Sequence, residues 1–161
     1  MLRIKPGQKL MSDITDYCRQ NDITSGVVLG IIGSVETARL GTPPVPEVGK
    51  PVISYENHVG PVYEWKDYTG PLSIISGTGT IAVMNKELVF HVHVLLSAGG
   101  TDNKAGHLVD GTVWATAEVV IGELEYQLRR ESDPKSGASV LLNQQCVAVS
   151  NHPKSVRYKL P

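Results

Sequence analysis

Phe90-His91-Val92-His93-Val94, followed by Gly106-His107-Leu108, is the stretch on which the reading of this chain turns. A strand alternates its side chains between two faces, so His91 and His93 share a face, with Cα atoms about 7 Å apart. Val89, Phe90, Val92, Val94, Leu95 and Leu96 supply the β-branched and apolar character of the strand. Ala98-Gly99-Gly100-Thr101-Asp102-Asn103 has the composition of a turn. A chain that doubles back near residue 100 sets His93 opposite His107, and facing Cβ atoms in an antiparallel pair lie about 4.5–5.5 Å apart. Three imidazoles then converge on one small volume, which is the layout of a metal site.

Ligand type sets the chemistry. Three neutral imidazoles with a fourth position left open suit zinc and leave room for water or a substrate oxygen. A closed structural site needs a fourth protein ligand, and the hairpin offers neither cysteine nor a carboxylate on the histidine face. Asp102 belongs to the turn tip, and Asp110, three residues past His107, faces the other side of a regular strand. A lone histidine reads as a packed, hydrogen-bonded side chain. A pair two residues apart with a third facing it reads as a metal set, because neighbouring imidazolium cations repel. The His-x-His spacing also occurs in cupins, but these want a glutamate a few residues later, and Leu95 to Ala98 supply none.

Composition narrows the rest. At 161 residues the chain is one domain, long enough to bury a core without disulfides. Lys plus Arg number 15 against 16 for Asp plus Glu, a net charge of −1, which argues against a purely electrostatic nucleic-acid binder. Cys18 and Cys146 are too far apart in sequence for a zinc or redox motif and read as reduced thiols. No stretch has the length of a membrane span and the N-terminus carries no leader pattern, so the expected setting is the cytoplasm.

Along the chain, Leu2 to Lys5 reads as a short strand ended by Pro6-Gly7. Leu10, Ile14, Tyr17 and Cys18 have helical spacing over residues 8 to 21, and Asn21-Asp22 ends that helix. Ser25 to Leu40 is strand-rich, with Gly26, Gly30 and Gly33 marking bulges or close backbone approach. Those glycines sit within a strand with no helix after them, so they are not a dinucleotide fingerprint. Residues 41 to 62, rich in Pro and Gly, read as a long loop, with His58 at its end as a surface histidine. Strands follow at Val62 to Tyr68, Leu72 to Gly79, Thr80 to Met84, Leu88 to Ser97 and Leu108 to Leu128. Arg129-Arg130-Glu131 and the residues from Asp133 to Gly137 read as a polar turn, and Val140-Leu141-Leu142 begins a shorter apolar appendix. One helix packed on a mostly antiparallel sheet makes an α+β domain of two layers. The predicted division is a domain over residues 1–142 and a C-terminal extension over 143–161, packed on the domain or on a neighbouring subunit.

Taken together, several segments resemble one family. They are Ser25-Gly26-Val27-Val28-Leu29-Gly30-Ile31-Ile32-Gly33-Ser34, Ser76-Gly77-Thr78-Gly79-Thr80-Ile81, the His-x-His strand, and Ala105-Gly106-His107-Leu108-Val109-Asp110-Gly111-Thr112-Val113. Arg130, Asp133 and Gly137 close the pattern. The chain resembles the PPC domain (plants and prokaryotes conserved), also known as domain of unknown function 296 and as a PD1-like DNA-binding domain. The resemblance covers about residues 1 to 142, and His-x-His together with Gly-His-Leu is its most specific part. It implies an α+β fold, a homotrimer and, in prokaryotic members, a metal set at His91, His93 and His107, with zinc as the cofactor. Plant relatives join this domain to an AT-hook. No such motif stands here, so direct DNA binding is not expected. The chain departs from the family pattern at Ser73, where an acidic residue is usual, at Gly77, where leucine is usual, and at Ala105, where glycine is usual.

Two functions compete. One is a zinc-binding domain whose open position takes water or a small anionic or carbonyl ligand, with Glu118, Glu64 and Asp110 as available general bases. The other is a non-enzymatic assembly and regulatory module that contacts DNA or protein. Whether the chain is an enzyme stays open at this point.

Overall fold

In the computed structural model, residues 1–43, 63–99, 102–134 and 138–142 are described. Their order is β1 (Leu2–Ile4), α1 (Leu10–Gln20), β2 (Gly26–Thr42), β3 (Glu64–Met84), β4 (Glu87–Ser97), β5 (Asn103–Glu123), β6 (Arg130–Ser132) and β7 (Ser139–Leu141). The predicted α+β class is what forms. Every pairing between these strands is antiparallel, in a main sheet of order β1-β5-β2-β3-β4 and a small β6-β7 pair.

β4 pairs with β3 and also with β5, so four long strands curl until the sheet meets itself. Alternation decides what lies inside. On β4, Val92, Val94 and Leu96 are buried, whereas His91, His93 and Leu95 face outward. Ile31, Val35 and Leu40 of β2, Ile74 and Ile81 of β3, and Leu108, Val113 and Val119 of β5 fill the same core. Helix α1 adds Leu10, Ile14 and Cys18 of the predicted apolar stripe, and Met11 besides; Tyr17, the fourth predicted member, is partly buried against the core. Register slips fall beside Gly30 and Gly33, and a Cβ at Gly26 or Gly33 would strike the β5 backbone, as the bulge and close-approach reading anticipates.

Three sequence expectations are corrected. Residues 64 to 84 form one continuous strand instead of three: Gly70-Pro71, lying between the first two predicted strands, is absorbed as a bulge opposite Glu36, with Gly70 at φ +123°. β5 starts earlier and stops earlier than predicted. Its continuation leaves the sheet because the buried Ser25 holds it: Leu124 N–H donates to the Ser25 carbonyl at 3.0 Å, Ser25 Oγ–H donates to the Tyr126 carbonyl at 2.7 Å, and Leu128 N–H donates to Ser25 Oγ at 2.9 Å. The supposed polar turn at 129 to 131 is largely β6, paired with β7, and Arg130 in it is buried. Residues 44–62, with His58, and the extension over 143–161, with Cys146, lie outside the described residues. Among the described residues no helix is long and apolar enough to cross a membrane.

Candidate metal centre

The β4–β5 hairpin is in the register that the sequence predicts. His93 pairs with His107 and Ser97 with Asn103, so the fold-back is centred on residue 100. His91 lies one pleat further along β4, beside Thr80 of β3. The side-chain nitrogens of the three histidines come within 4.8 Å of one another, the single such cluster of His, Cys, Asp or Glu among the described residues. Ring centroids are 4.9 Å apart for His91 and His93, 5.1 Å for His91 and His107, and 5.7 Å for His93 and His107. His93 is exposed and the other two are half-buried, so the cluster opens to solvent on one side.

Aromatic rings wall the other side. Tyr63 stacks on His107 at 5.6 Å between centroids, and Trp65 meets the same ring edge-on at 6.2 Å. Trp65 reaches it because the β2 residue that pairs with both Trp65 and His107 is Gly41. A Cβ on Gly41 would lie 2.4 Å from the indole.

The polar atoms show which nitrogens are engaged. Arg130 Nη2 lies 3.3 Å from His91 Nδ1, and a guanidinium can only donate. His91 Nδ1 therefore accepts, and the neutral ring carries its proton on Nε2. That atom faces His93 Nε2 at 3.0 Å. His107 Nδ1 is buried with no hydrogen-bond partner. Burial holds the His107 pKa down to about 4, helped by the charges of His91, His93 and Arg130. His91 is lowered too, first by burial, then by Arg130 and His93. Both rings are thus biased toward the neutral form that offers a lone pair.

Three imidazoles, two of them biased toward the neutral form and one with an orphaned buried nitrogen, are a donor set that fits a divalent transition metal. None of the proposed carboxylate bases joins them. Glu64 alternates with Tyr63 and Trp65 and so faces away from His107. Glu118 is exposed, paired across the sheet with Arg3 and Ile32. Asp110 is spent on the helix: its carboxylate accepts from Met11 N–H at 2.9 Å, Gly111 N–H at 2.8 Å and Ser12 Oγ–H at 3.2 Å. Asp102 pairs with Lys104 at the hairpin tip.

The residue missed by site reasoning is Arg130. The chain that Ser25 steers past β3 sets a parallel bridge between Val83 and Arg129, which delivers the Arg130 guanidinium to Thr80 Oγ1 at 2.8 Å and to His91. Its place among the residues that close the family pattern was the available signal.

Known proteins support the architecture. Two bifunctional GlmU proteins of Synechococcus match in sequence: that of strain JA-3-3Ab is 27% identical over 140 residues, 84% of this chain and 19% of that protein. The chain thus spans less than a fifth of the length of these curated relatives. A metal-containing protein from Archaeoglobus fulgidus superposes with a TM-score of 0.70 at 24% identity, over 88% of this chain and 91% of that one. The plant- and prokaryote-conserved protein of Pyrococcus horikoshii gives 0.69 at 19% identity, over 89% and 90%. A candidate DNA-binding protein from Ralstonia eutropha JMP134 gives 0.70 at 22%, over 89% and 90%. These structures share the fold. A model of the Plants and Prokaryotes Conserved (PCC) domain matches residues 1–125, from before β1 to just past the end of β5, and the chain belongs to that family.

Proposed function

We propose that this chain is a metal-binding PCC-domain protein that holds a zinc ion through His91, His93 and His107 and keeps one coordination position for water or a small ligand. The observation that carries the reading is the convergence of three ring nitrogens within 4.8 Å, with a buried His107 Nδ1 that nothing else satisfies. The metal-containing protein from Archaeoglobus fulgidus, which shares the fold, supports it. A zinc ion bound there supplies Lewis acidity toward an oxygen ligand. The chain's own residues do the rest: burial keeps His91 and His107 neutral, and Tyr63 and Trp65 shield one side of the cluster. With Glu64, Glu118 and Asp110 all directed elsewhere, the site has no carboxylate base among the described residues, and holding a ligand is the role the geometry favours.

Metal analysis of the purified protein beside His91→Ala and His107→Ala tests this. Stoichiometric zinc in the parent protein and its loss from both variants is the expected result. Zinc retained in full by both variants overturns the reading.

The assembly we propose is a homotrimer, as the family resemblance implies. Outward-facing Leu29 and Ile32 of β2, Ile75 of β3 and Trp114 of β5 supply apolar surface for it. Light scattering on the parent protein and on Ile32→Glu checks the mass. Duplex DNA is left out of the proposal, and the net charge of −1 supports that omission.

A further inference from the structure

Arg130 is the charged group that metal binding leaves without a purpose. It is 6% exposed, and burial works against its charge. Among the described residues no carboxylate pairs with it. Nη1 donates to the Ser139 carbonyl at 2.6 Å, Nη2 donates to Thr80 Oγ1 and His91 Nδ1, and Nε has no partner at all. Buried guanidinium groups are ordinarily matched by an anion. Among the described residues, the ionisable side chains that face this one are the His91 and His107 imidazoles and the Tyr63 phenol.

The hydrogen bond to His91 makes the mismatch sharper. His91 can offer Nε2 to a cation only with its proton on Nδ1, and metal-bound histidines ordinarily donate through that second nitrogen. Nδ1–H opposite Arg130 Nη2–H sets donor against donor. A metal-ready His91 therefore leaves Arg130 with one more N–H lacking an acceptor, beside a centre to which the described residues bring no negative charge.

Resting on the metal reading above, we infer that the ligand of this centre is a small oxyanion, a carboxylate or phosphate group, held at the metal position next to the uncompensated positive charge of Arg130. A negative charge on the ligand offsets the field of that guanidinium across the His91 ring. A neutral carbonyl compound would leave the excess positive charge in place.

The full chain loaded with Co²⁺ reports ligand exchange through its visible absorption. Acetate, inorganic phosphate and acetamide are titrated in turn. Acetate or phosphate should shift the spectrum saturably, the stronger of the two naming the anion class, while acetamide, neutral and of similar shape, should not. Arg130→Gln should keep its cobalt and bind the anion about tenfold more weakly or worse, with Arg130→Lys in between. The inference is overturned if acetamide matches acetate and phosphate, if Arg130→Gln binds the anion like the parent, or if the cobalt-loaded parent ignores both anions. Should the glutamine and lysine variants both fail to fold, the comparison of anions with acetamide on the parent decides alone. A parent chain that cannot retain cobalt sinks the metal reading and this inference together. One that retains cobalt and ignores anions sinks only the inference.

Discussion

Two polar positions on β5, three residues apart, are treated in opposite ways. Asp110 faces the helix and has its carboxylate fully engaged, by Met11 N–H, Gly111 N–H and Ser12 Oγ–H. The N-cap residue Lys9 makes no side-chain cap of its own, so a strand residue caps α1 from outside while Lys9 Nζ holds Thr112 Oγ1. His107, left on the same outward face by the register slip at Val109, has a buried Nδ1 with no partner and stands beside an arginine whose Nε is equally orphaned. Buried polar groups that serve the fold are satisfied within it. Two left open beside one cluster of imidazoles call for an explanation from something that binds.

The widest separation of the two positions is in metal retention. His107→Ala should weaken zinc binding on the order of a hundredfold or more, since losing even an outer-shell partner of a ligand costs 10–100-fold. Asp110→Ala should retain zinc in full. Equilibrium dialysis of both variants draws the contrast, and equal zinc loss from the two would erase it.

Stability reverses the order. Asp110→Ala strands the Met11 and Gly111 amides and removes an anion from the N-terminus of α1, a loss of about 1–3 kcal/mol. Thermal unfolding of the metal-free proteins should show a Tm drop of roughly 2–12 °C for this variant, at about 2–4 °C per kcal/mol. His107→Ala, which removes a nitrogen already unsatisfied, should fall by less.

How much of this could be read from the chain follows from the range of the interactions. The histidine pairing was legible because it needs only strand alternation and a turn whose centre is fixed by composition. The helix was legible from Leu10, Ile14 and Cys18. The bulge at Gly70-Pro71 was not, because those residues serve a tight turn and a strand irregularity equally well, and only pairing with β2 decides between them. Nor was Arg130, whose burial depends on Ser25, more than a hundred positions earlier, steering the chain after β5. The role of Asp110 escaped for the same reason: a tertiary cap has no local spacing to reveal it.

Acid should separate the two positions more gently. The unfolded chain protonates a histidine near pH 6.5, whereas folded His107 resists to about 4. Between those values the unfolded state binds the extra proton, so stability rises with pH there and is lost as pH falls from 6.5 toward 4. Urea denaturation of the metal-free protein across that window should give a midpoint that declines with acid. His107→Ala should flatten the decline in part, leaving the contribution of His91, which is lowered as well. An unchanged slope in the variant would mean that His107 is not held neutral by the fold.

The smallest effect concerns the wall and not the ligands. Gly41→Ala puts a methyl group where the Trp65 ring lies, and the ring, half-exposed, has room to swing outward without opening the core. The indole would then leave His107, whose edge-on contact it now makes. Tryptophan emission should shift while the Tm moves by only a few degrees, with Trp114, exposed elsewhere on β5, giving a constant background. Zinc retention should fall only slightly, because Tyr63 still stacks on His107 from the same side. A Gly41→Ala protein that lost its zinc as completely as His107→Ala would show that the aromatic wall holds the third imidazole in place, and that β2 contributes to the centre as much as the hairpin does.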